Sequence, residues 1–153
     1  MGFDLYGIKA ISKKGEYFRN NVWWWRPLWV YVCEACSDIL TEEDMNAGHF
    51  NDGYKIDAEK SRRIAARLGA LIKEKKVLQY SDEYNSELES LPDEKCDLCK
   101  STGERHDKYV DGQCNVCAGR GKVRPSDTWY PFKVENIKEF AKFCRASGGF
   151  EIC

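Results

Sequence analysis

The 153-residue sequence is poor in the features that announce the commoner chemistries. It holds two histidines, no HExxH pair, no glycine-rich phosphate loop ending in Lys-Ser/Thr and no serine-centred elbow. Zinc-peptidase, P-loop and serine-hydrolase mechanisms therefore have no residues to run on. A basic segment followed by an apolar one, the mark of a secretory leader, does not open the chain, and the longest apolar stretch, Val22 to Cys33, is interrupted by Arg26 and Pro27. Neither a leader nor a membrane span is expected, and the chain reads as cytoplasmic. "MG" begins it, but Leu5-Tyr6 stands where a myristoylation signal needs a small hydroxyl residue, which argues against lipidation. Formal net charge is −1, so no global field favours nucleic acid or an acidic membrane as partner.

What is present is a globular composition: 42% hydrophobic, 13% aromatic and 32% charged residues. A chain of this length buries roughly 68–70% of the surface its unfolded form exposes, enough for a real core. Turn and period signals divide it. Residues 3–11 carry short apolar runs between glycines, read as one or two strands. From Pro27, taken as a first helical residue, Leu28, Tyr31, Val32, Ala35 and Cys36 recur at helical spacing. Thr41 followed by Glu-Glu-Asp opens a short helix that should stop by Gly48. "AGHFNDGY" reads as a surface loop, and Asp57 as the cap of a helix with the stripe Ile64, Leu68, Leu71 and Ile72. A further helix carries Val77, Tyr80, Tyr84, Leu88 and Leu91. The first of these two helices is basic and the second acidic, so a hairpin of the two would match their charges. Ile137, Phe140, Ala141 and Cys144 mark a last helix closing at Gly148-Gly149. The expected fold is α+β: a compact, α-rich single domain over residues 1–153 with a zinc-knuckle β-hairpin inserted at 96–121.

Eight cysteines would suit a secreted disulfide scaffold, yet six of them form CxxC pairs, the spacing of metal or redox work in a reducing compartment. "CDLCKSTG" at 96–103 and "CNVCAGRG" at 114–121 are two versions of CxxCxGxG, the first with Ser101 in place of a glycine. Cys96, Cys99, Cys114 and Cys117 supply the four thiolates of a tetrahedral zinc, and the glycines allow each chain to turn tightly beneath the sulfurs. Between the knuckles a hairpin is expected, with its turn at Asp111-Gly112. Two redox or disulfide-forming pairs are the competing reading, although a thioredoxin-like CxxC belongs at a βα junction. "CEAC" at 33–36 lies inside a helical pattern instead, where buried cysteine serves as a small hydrophobe.

The knuckles resemble the cysteine-rich zinc module of DnaJ-type chaperones, and the same knuckle in the small bacterial inhibitor of the tryptophan attenuation protein. That resemblance covers residues 96–121 and implies a structural zinc. It implies no co-chaperone activity, because the J-domain signature HPD does not occur. Over its whole length the chain also resembles a group of small bacterial and phage proteins, through "MGFDLYG", "YFRNNVWWWRPLW", "GHFNDG", the two knuckles, "WYPF" and "GGFEIC". The group supports the boundaries and brings no chemistry. A phage origin would imply action on a host factor or a host signalling nucleotide.

Two segments carry the candidates for recognition. In "EYFRNNVWWWRPLW" the consecutive Trp23, Trp24 and Trp25 cannot share one face of a strand or a helix. With Arg19, Asn20, Asn21 and Arg26 they offer a flat, phosphorylated ligand a stacking face, amide groups and a cation. Core and core-edge structure is the alternative. The expectation is a split, two tryptophans in the core and one in a site with Arg19 and His49 as neighbours. In "GHFNDG" His49, Asn51 and Asp52 occupy a glycine-bounded loop where a neutral histidine beside a carboxylate can serve as a base. The candidate ligand-binding set is thus Arg19, Asn20, Asn21, Trp23, Trp25, Arg26, His49, Asn51 and Asp52. The functional expectation is a non-enzymatic binding protein with a structural zinc, taking a nucleotide-like small ligand or a host macromolecule. The alternative is a hydrolase or transferase acting on a nucleotide-type substrate.

Overall fold

The computed structural model describes residues 2–153 and is an α+β structure. The chain runs through β1 (Gly2–Gly7), a 3-10 turn (Lys13–Gly15), β2 (Tyr17–Asn21), α1 (Val22–Ala35), α2 (Glu42–Ala47), β3 (Tyr54–Ile56), α3 (Ala58–Lys73) and α4 (Lys76–Ser90). Four short strands follow, β4 (Glu94–Lys95), β5 (Glu104–His106), β6 (Asp111–Gln113) and β7 (Lys122–Val123). A second 3-10 turn (Ser126–Trp129), α5 (Val134–Ser147) and β8 (Phe150–Ile152) complete it. The residues group into two compact units, 2–85 with 130–153, and Ser86–Trp129. The second is inserted in the first and takes in the knuckle segment together with the end of α4. None of the described helices is long and apolar enough to cross a membrane.

The first unit is built on an antiparallel sheet in the order β2-β1-β8-β3. Alternation along β1 sends Phe3 and Leu5 into the core, and the register sets Leu5 opposite both Phe18 of β2 and Ile152 of β8. One layer of helices covers that face. Trp25, Leu28, Trp29 and Val32 form the inner stripe of α1, at the i, i+3, i+4, i+7 spacing of one helical face, and meet Phe140 and Phe143 of α5 in a single aromatic core. Helix α3 packs along α5.

Helix α1 starts at Val22, ahead of the start expected at Pro27. Asn21 is its cap, the side-chain oxygen accepting the Trp24 N–H at 3.0 Å, and Pro27 sits within the helix. The cap satisfies one of the orphan N–H groups of the first turn, whereas Pro27 costs the helix one donor and so does not define its start. The main partner of α3 is α5. Arg67 of α3 forms a two-pronged ion pair with Asp38, at 3.0 and 2.8 Å, instead of facing the acids of α4.

Thr41 caps α2 as expected, in a full capping box with Asp44. Asp44 does more. Its buried carboxylate also accepts from Tyr54 Oη at 3.0 Å and Lys60 Nζ at 2.6 Å, joining α2, β3 and α3. Burial alone would raise its pKa, but the Lys60 ammonium, the Thr41 N–H and hydroxyl and the Tyr54 hydroxyl outweigh that and hold it below the usual carboxylate value. The indole N–H groups of Trp25 and Trp29 donate to the carbonyls of Gly48 and Met45, at 2.8 and 3.0 Å, pinning the end of α2 to α1.

Candidate functional site

In the second unit the two knuckles fold as near copies. Lys100 and Ala118 have φ of 50° and 51°, and Ser101 and Gly119 have φ of 67° and 77°. Gly103 and Gly121 follow with φ of 81° and 70°. The N–H of Ser101 reaches the Cys96 carbonyl at 3.0 Å, and that of Gly119 the Cys114 carbonyl at 3.2 Å. Gly103 and Gly121 each donate N–H to a sulfur, of Cys99 and Cys117 respectively, at 3.3 Å. A Cβ at Gly103 would lie 2.4 Å from the Gly119 carbonyl oxygen, and one at Gly121 2.4 Å from that of Ser101. Only glycine lets the two turns approach this closely.

The turns converge four sulfurs. Cys96, Cys99, Cys114 and Cys117 are buried, and their sulfurs lie within 4.8 Å of one another, with Cys96–Cys114 at 3.9 Å and Cys99–Cys117 at 3.7 Å. A disulfide needs about 2.05 Å. Four sulfurs at about 2.3 Å from a central ion define a tetrahedron with edges of about 3.8 Å, so this cluster can hold a metal ion. Burial works against ionising Cys99, but the Gly103 N–H and the Cys96 and Cys117 sulfurs outweigh it and lower its pKa. At Cys96 the Cys99 N–H is outweighed by burial and the neighbouring thiols, which push it up to about 11. In the helical CxxC burial raises both thiols, Cys33 to about 12 and Cys36 to about 11.

The hairpin between the knuckles turns at residues 107–110, not at Asp111-Gly112, which lie in β6 opposite His106 and Arg105. The Asp107 carboxylate fixes that turn by accepting the N–H groups of Tyr109 and Val110 at 2.8 and 3.0 Å, with Arg105 holding it from the side. Below the knuckles β4 pairs with β7. Arg124 then lays its guanidinium on the carbonyls of Leu88 at 2.8 Å and Glu89 at 3.2 Å in α4 and of Leu91 just past it at 2.5 Å, closing the helix where its dipole favours a cation.

In the first unit the recognition candidates are dispersed. Trp25 is fully buried in the core. Trp23 and Trp24 are each 39% exposed, so one tryptophan of the three is core and two reach solvent, the reverse of the expected split. The reason is the early start of α1, which puts Trp25 on the inner stripe and its two predecessors beside it. Trp23 lies against Tyr130 with ring centroids 5.0 Å apart, and Arg26 reaches the same ring, its guanidinium 5.6 Å from the centroid. His49 belongs near Arg26 rather than Arg19: burial lowers its pKa first and the Arg26 charge second. Asn21 is committed to capping, and Asn51 donates to the Gly2 carbonyl at 3.0 Å. Asp52 is exposed in its loop.

Arg19 and Asn20 do share a site, with Trp24. A cleft of about 500 Å³ lies between β2 and α5, floored by Phe18 and Phe143. Asn20, almost wholly buried, donates to Asn136 Oδ1 at 2.9 Å, and Asn136 donates to the Trp24 carbonyl at 3.1 Å. The Lys133 ammonium stands 4.0 Å from the Trp24 ring centroid. At the other end Glu139 is held between Lys14 at 2.7 Å and Lys142 at 2.6 Å, and these cations, Lys14 first, draw its pKa down to about 2. Lys133, Asn136 and Glu139 carry no site signal in the sequence, and Trp24 is marked there only as one of three consecutive tryptophans. Continuing the stripe of Leu28 and Val32 back through Trp25 would have turned Trp24 outward.

No protein-family model, no curated protein and no solved structure matches the chain.

Proposed function

We propose that the chain is a non-enzymatic binding protein in which Cys96, Cys99, Cys114 and Cys117 hold a structural zinc and the cleft at Trp24 is the ligand seat. The carrying observation is the cluster of four buried sulfurs with tetrahedral spacing. Four thiolates complete the coordination of zinc and leave no position for a reactive water, which supports a structural ion over a catalytic one. The resemblance of the knuckles to DnaJ-type modules points the same way.

The ligand reading rests on what the cleft brings together: an indole surface with an ammonium beside it, the Arg19 guanidinium and the amides of Asn20 and Asn136. These groups suit a flat, anionic, hydrogen-bonding partner, whether a nucleotide-like small molecule or an equivalent group on a host macromolecule. The alternative of a hydrolase or transferase acting through His49 and Asp52 draws no support from the geometry, since the charged neighbour of His49 is Arg26.

Metal analysis of the protein purified without added metal tests the first half, with one zinc per chain expected. Cobalt substitution should give the intense thiolate-to-metal absorption of a four-sulfur site. Absence of metal, or cobalt bands of a mixed oxygen and sulfur site, would refute it. For the second half, the protein is incubated with a nucleotide panel and heat-denatured. Retained ligand should return chemically intact, and altered ligand would make the protein an enzyme.

A further inference from the structure

We propose that the cleft between β2 and α5 is a strand-acceptor groove: it takes an extended peptide segment that pairs with the outer edge of β2 and places an acidic side chain at Lys133. This rests on the reading of the cleft as ligand seat and adds the class of ligand.

The backbone makes the first argument. Strand β2 is terminal in its sheet. Gly7 donates N–H to Glu16 at 3.0 Å, and the register continues from there with Tyr6 opposite Tyr17 and Leu5 opposite Phe18. Hydrogen-bonded and non-bonded pairs alternate in an antiparallel ladder, so Phe18 and Asn20 spend their backbone groups on β1. Tyr17 and Arg19 turn theirs to the other side, where the sheet has no further strand. Folded proteins usually cover, bend or load such an edge with charge. Here it borders an apolar-floored groove with α5 as the opposite wall, an arrangement that admits one more strand. At about 3.3 Å per residue, a segment of about five residues matches β2, and every second side chain would point at the Phe18 and Phe143 floor.

Charge selects the segment. Glu139 is neutralised by Lys14 and Lys142, Glu135 pairs with Lys138 at 3.3 Å, and Arg19 with Asp4 at 3.6 Å. Lys133 pairs with no carboxylate among the described residues, and its ammonium is held over a half-exposed indole. An acidic side chain at that end gains a partner without breaking an existing pair. An extended backbone can pair in register with the outward N–H and C=O groups of Tyr17 and Arg19, which a nucleotide cannot do along the strand. A second copy of β2, paired antiparallel about Arg19, would set like charges opposite each other.

The test titrates the full-length protein with a fluorescein-labelled pool of hexapeptides carrying Val, Leu or Phe at the second and fourth positions and Glu last. Matched pools replace Glu by Lys or N-methylate the backbone amides. Saturable micromolar binding of the Glu pool is expected, with N-methylation weakening it at least about tenfold, a difference of about 1.4 kcal/mol. Lys133→Glu should reverse the preference to the Lys pool. Arg19→Pro should weaken binding at least about tenfold, because the N–H it removes points away from β1 and the ladder is spared. The Lys133 reversal does not depend on how well Arg19→Pro folds. No binding of any pool, equal binding of the N-methylated pool, or a dimer that forms through β2 would overturn the proposal. If the peptides fail while nucleotides shift the Trp24 indole resonance, the strand-acceptor role falls and the ligand seat stands. If both fail, both fall.

Discussion

The two units are held together by different physics. The first encloses a continuous core of Trp25, Trp29, Phe140, Phe143, Phe150 and the aliphatic side chains around them. In the second, the buried cluster is four cysteines with Val123 packed against it. Apolar burial contributes about 25 cal/mol per Å², and a segment as short as Ser86–Trp129 is near the size below which a hydrophobic core alone fails. Its exposed Leu98, Val116, Tyr109 and Trp129 add little to a core. A metal bound by four thiolates replaces many buried side chains with one coordination sphere. With the proposed zinc in place, the architecture separates a unit stable by packing from one stable by ligation.

The largest expected effect removes the metal. A strong chelator, or Cys99→Ser, should collapse the amide resonances of residues 86–129 into the unfolded range while the aromatic core signals of the first unit persist. Cys33→Ser, in a half-buried helical position, should leave both sets in place. Thiol alkylation sharpens the same contrast. With its pKa raised to about 12, half-buried Cys33 stays protonated at neutral pH, and its labelling should keep accelerating as pH rises past 10, while buried Cys36 stays unlabelled in the folded unit. Equal collapse of both units on chelation would show that packing does not sustain the first.

Next in size is the core itself. Trp25→Ala removes an indole stacked on Trp29 and Phe3 and deletes the bond to Gly48, and should cost roughly 3–5 kcal/mol by denaturant unfolding. Trp24→Ala, at the cleft, should cost less than about 1 kcal/mol and show its effect in ligand binding. Comparable losses from the two would mean that the cleft is part of the core.

These neighbours also show how far the sequence could be read. The knuckle glycines and cysteines carry a local geometry in their spacing, so the four converging sulfurs are legible in the sequence itself. The helices of residues 42–47, 58–73 and 134–147 announced themselves by caps and stripes, since those signals depend on adjacent residues alone. The tryptophan run failed because two local signals competed. Pro27 imitates a helix start, while Asn21 provides the actual cap, and a shift of that start reassigns every side chain between core and surface. The cleft was hidden for another reason. It joins Arg19 and Asn20 to Lys133 and Asn136, and only the strand order brings β2 and α5 together. In the sequence Asp44 is only a first-turn acid; its partners Tyr54 and Lys60 arrive from elsewhere in the chain.

Asp44 gives the next smaller effect. Its pKa is depressed on folding, so the stability it contributes is fully present above the unfolded carboxylate value of about 3.9 and is lost as pH falls through the lower folded value. Asp44→Asn should cost about 1–3 kcal/mol at pH 7 and flatten the acid limb of the stability curve of the first unit. If the variant kept the wild-type acid limb, the titrating group would lie elsewhere.

The smallest effect lies within the second unit, between its two knuckles. Ser101 and Gly119 occupy equivalent left-handed positions, at φ of 67° and 77°, and a residue with a Cβ pays about 1 kcal/mol or more for that conformation where glycine pays none. Ser101→Gly should relieve this. Part of the gain is offset because glycine also widens the unfolded ensemble, by about 0.4–1 kcal/mol. The net expectation is a stabilisation of about 0.5 kcal/mol, read as roughly a twofold tighter apparent zinc affinity in competition with a chelator. The reciprocal change, Gly119→Ser, should be the more damaging, because its Cβ would stand 2.7 Å from Gln113 Nε2 as well as entering the left-handed region. Gln113 uses that nitrogen to donate to the Ala118 carbonyl at 2.9 Å, so yielding to the new side chain would loosen the turn of the second knuckle. If Ser101→Gly weakened the metal site, the serine side chain would be contributing an interaction that outweighs its strain, and the two knuckles would not be energetic equivalents.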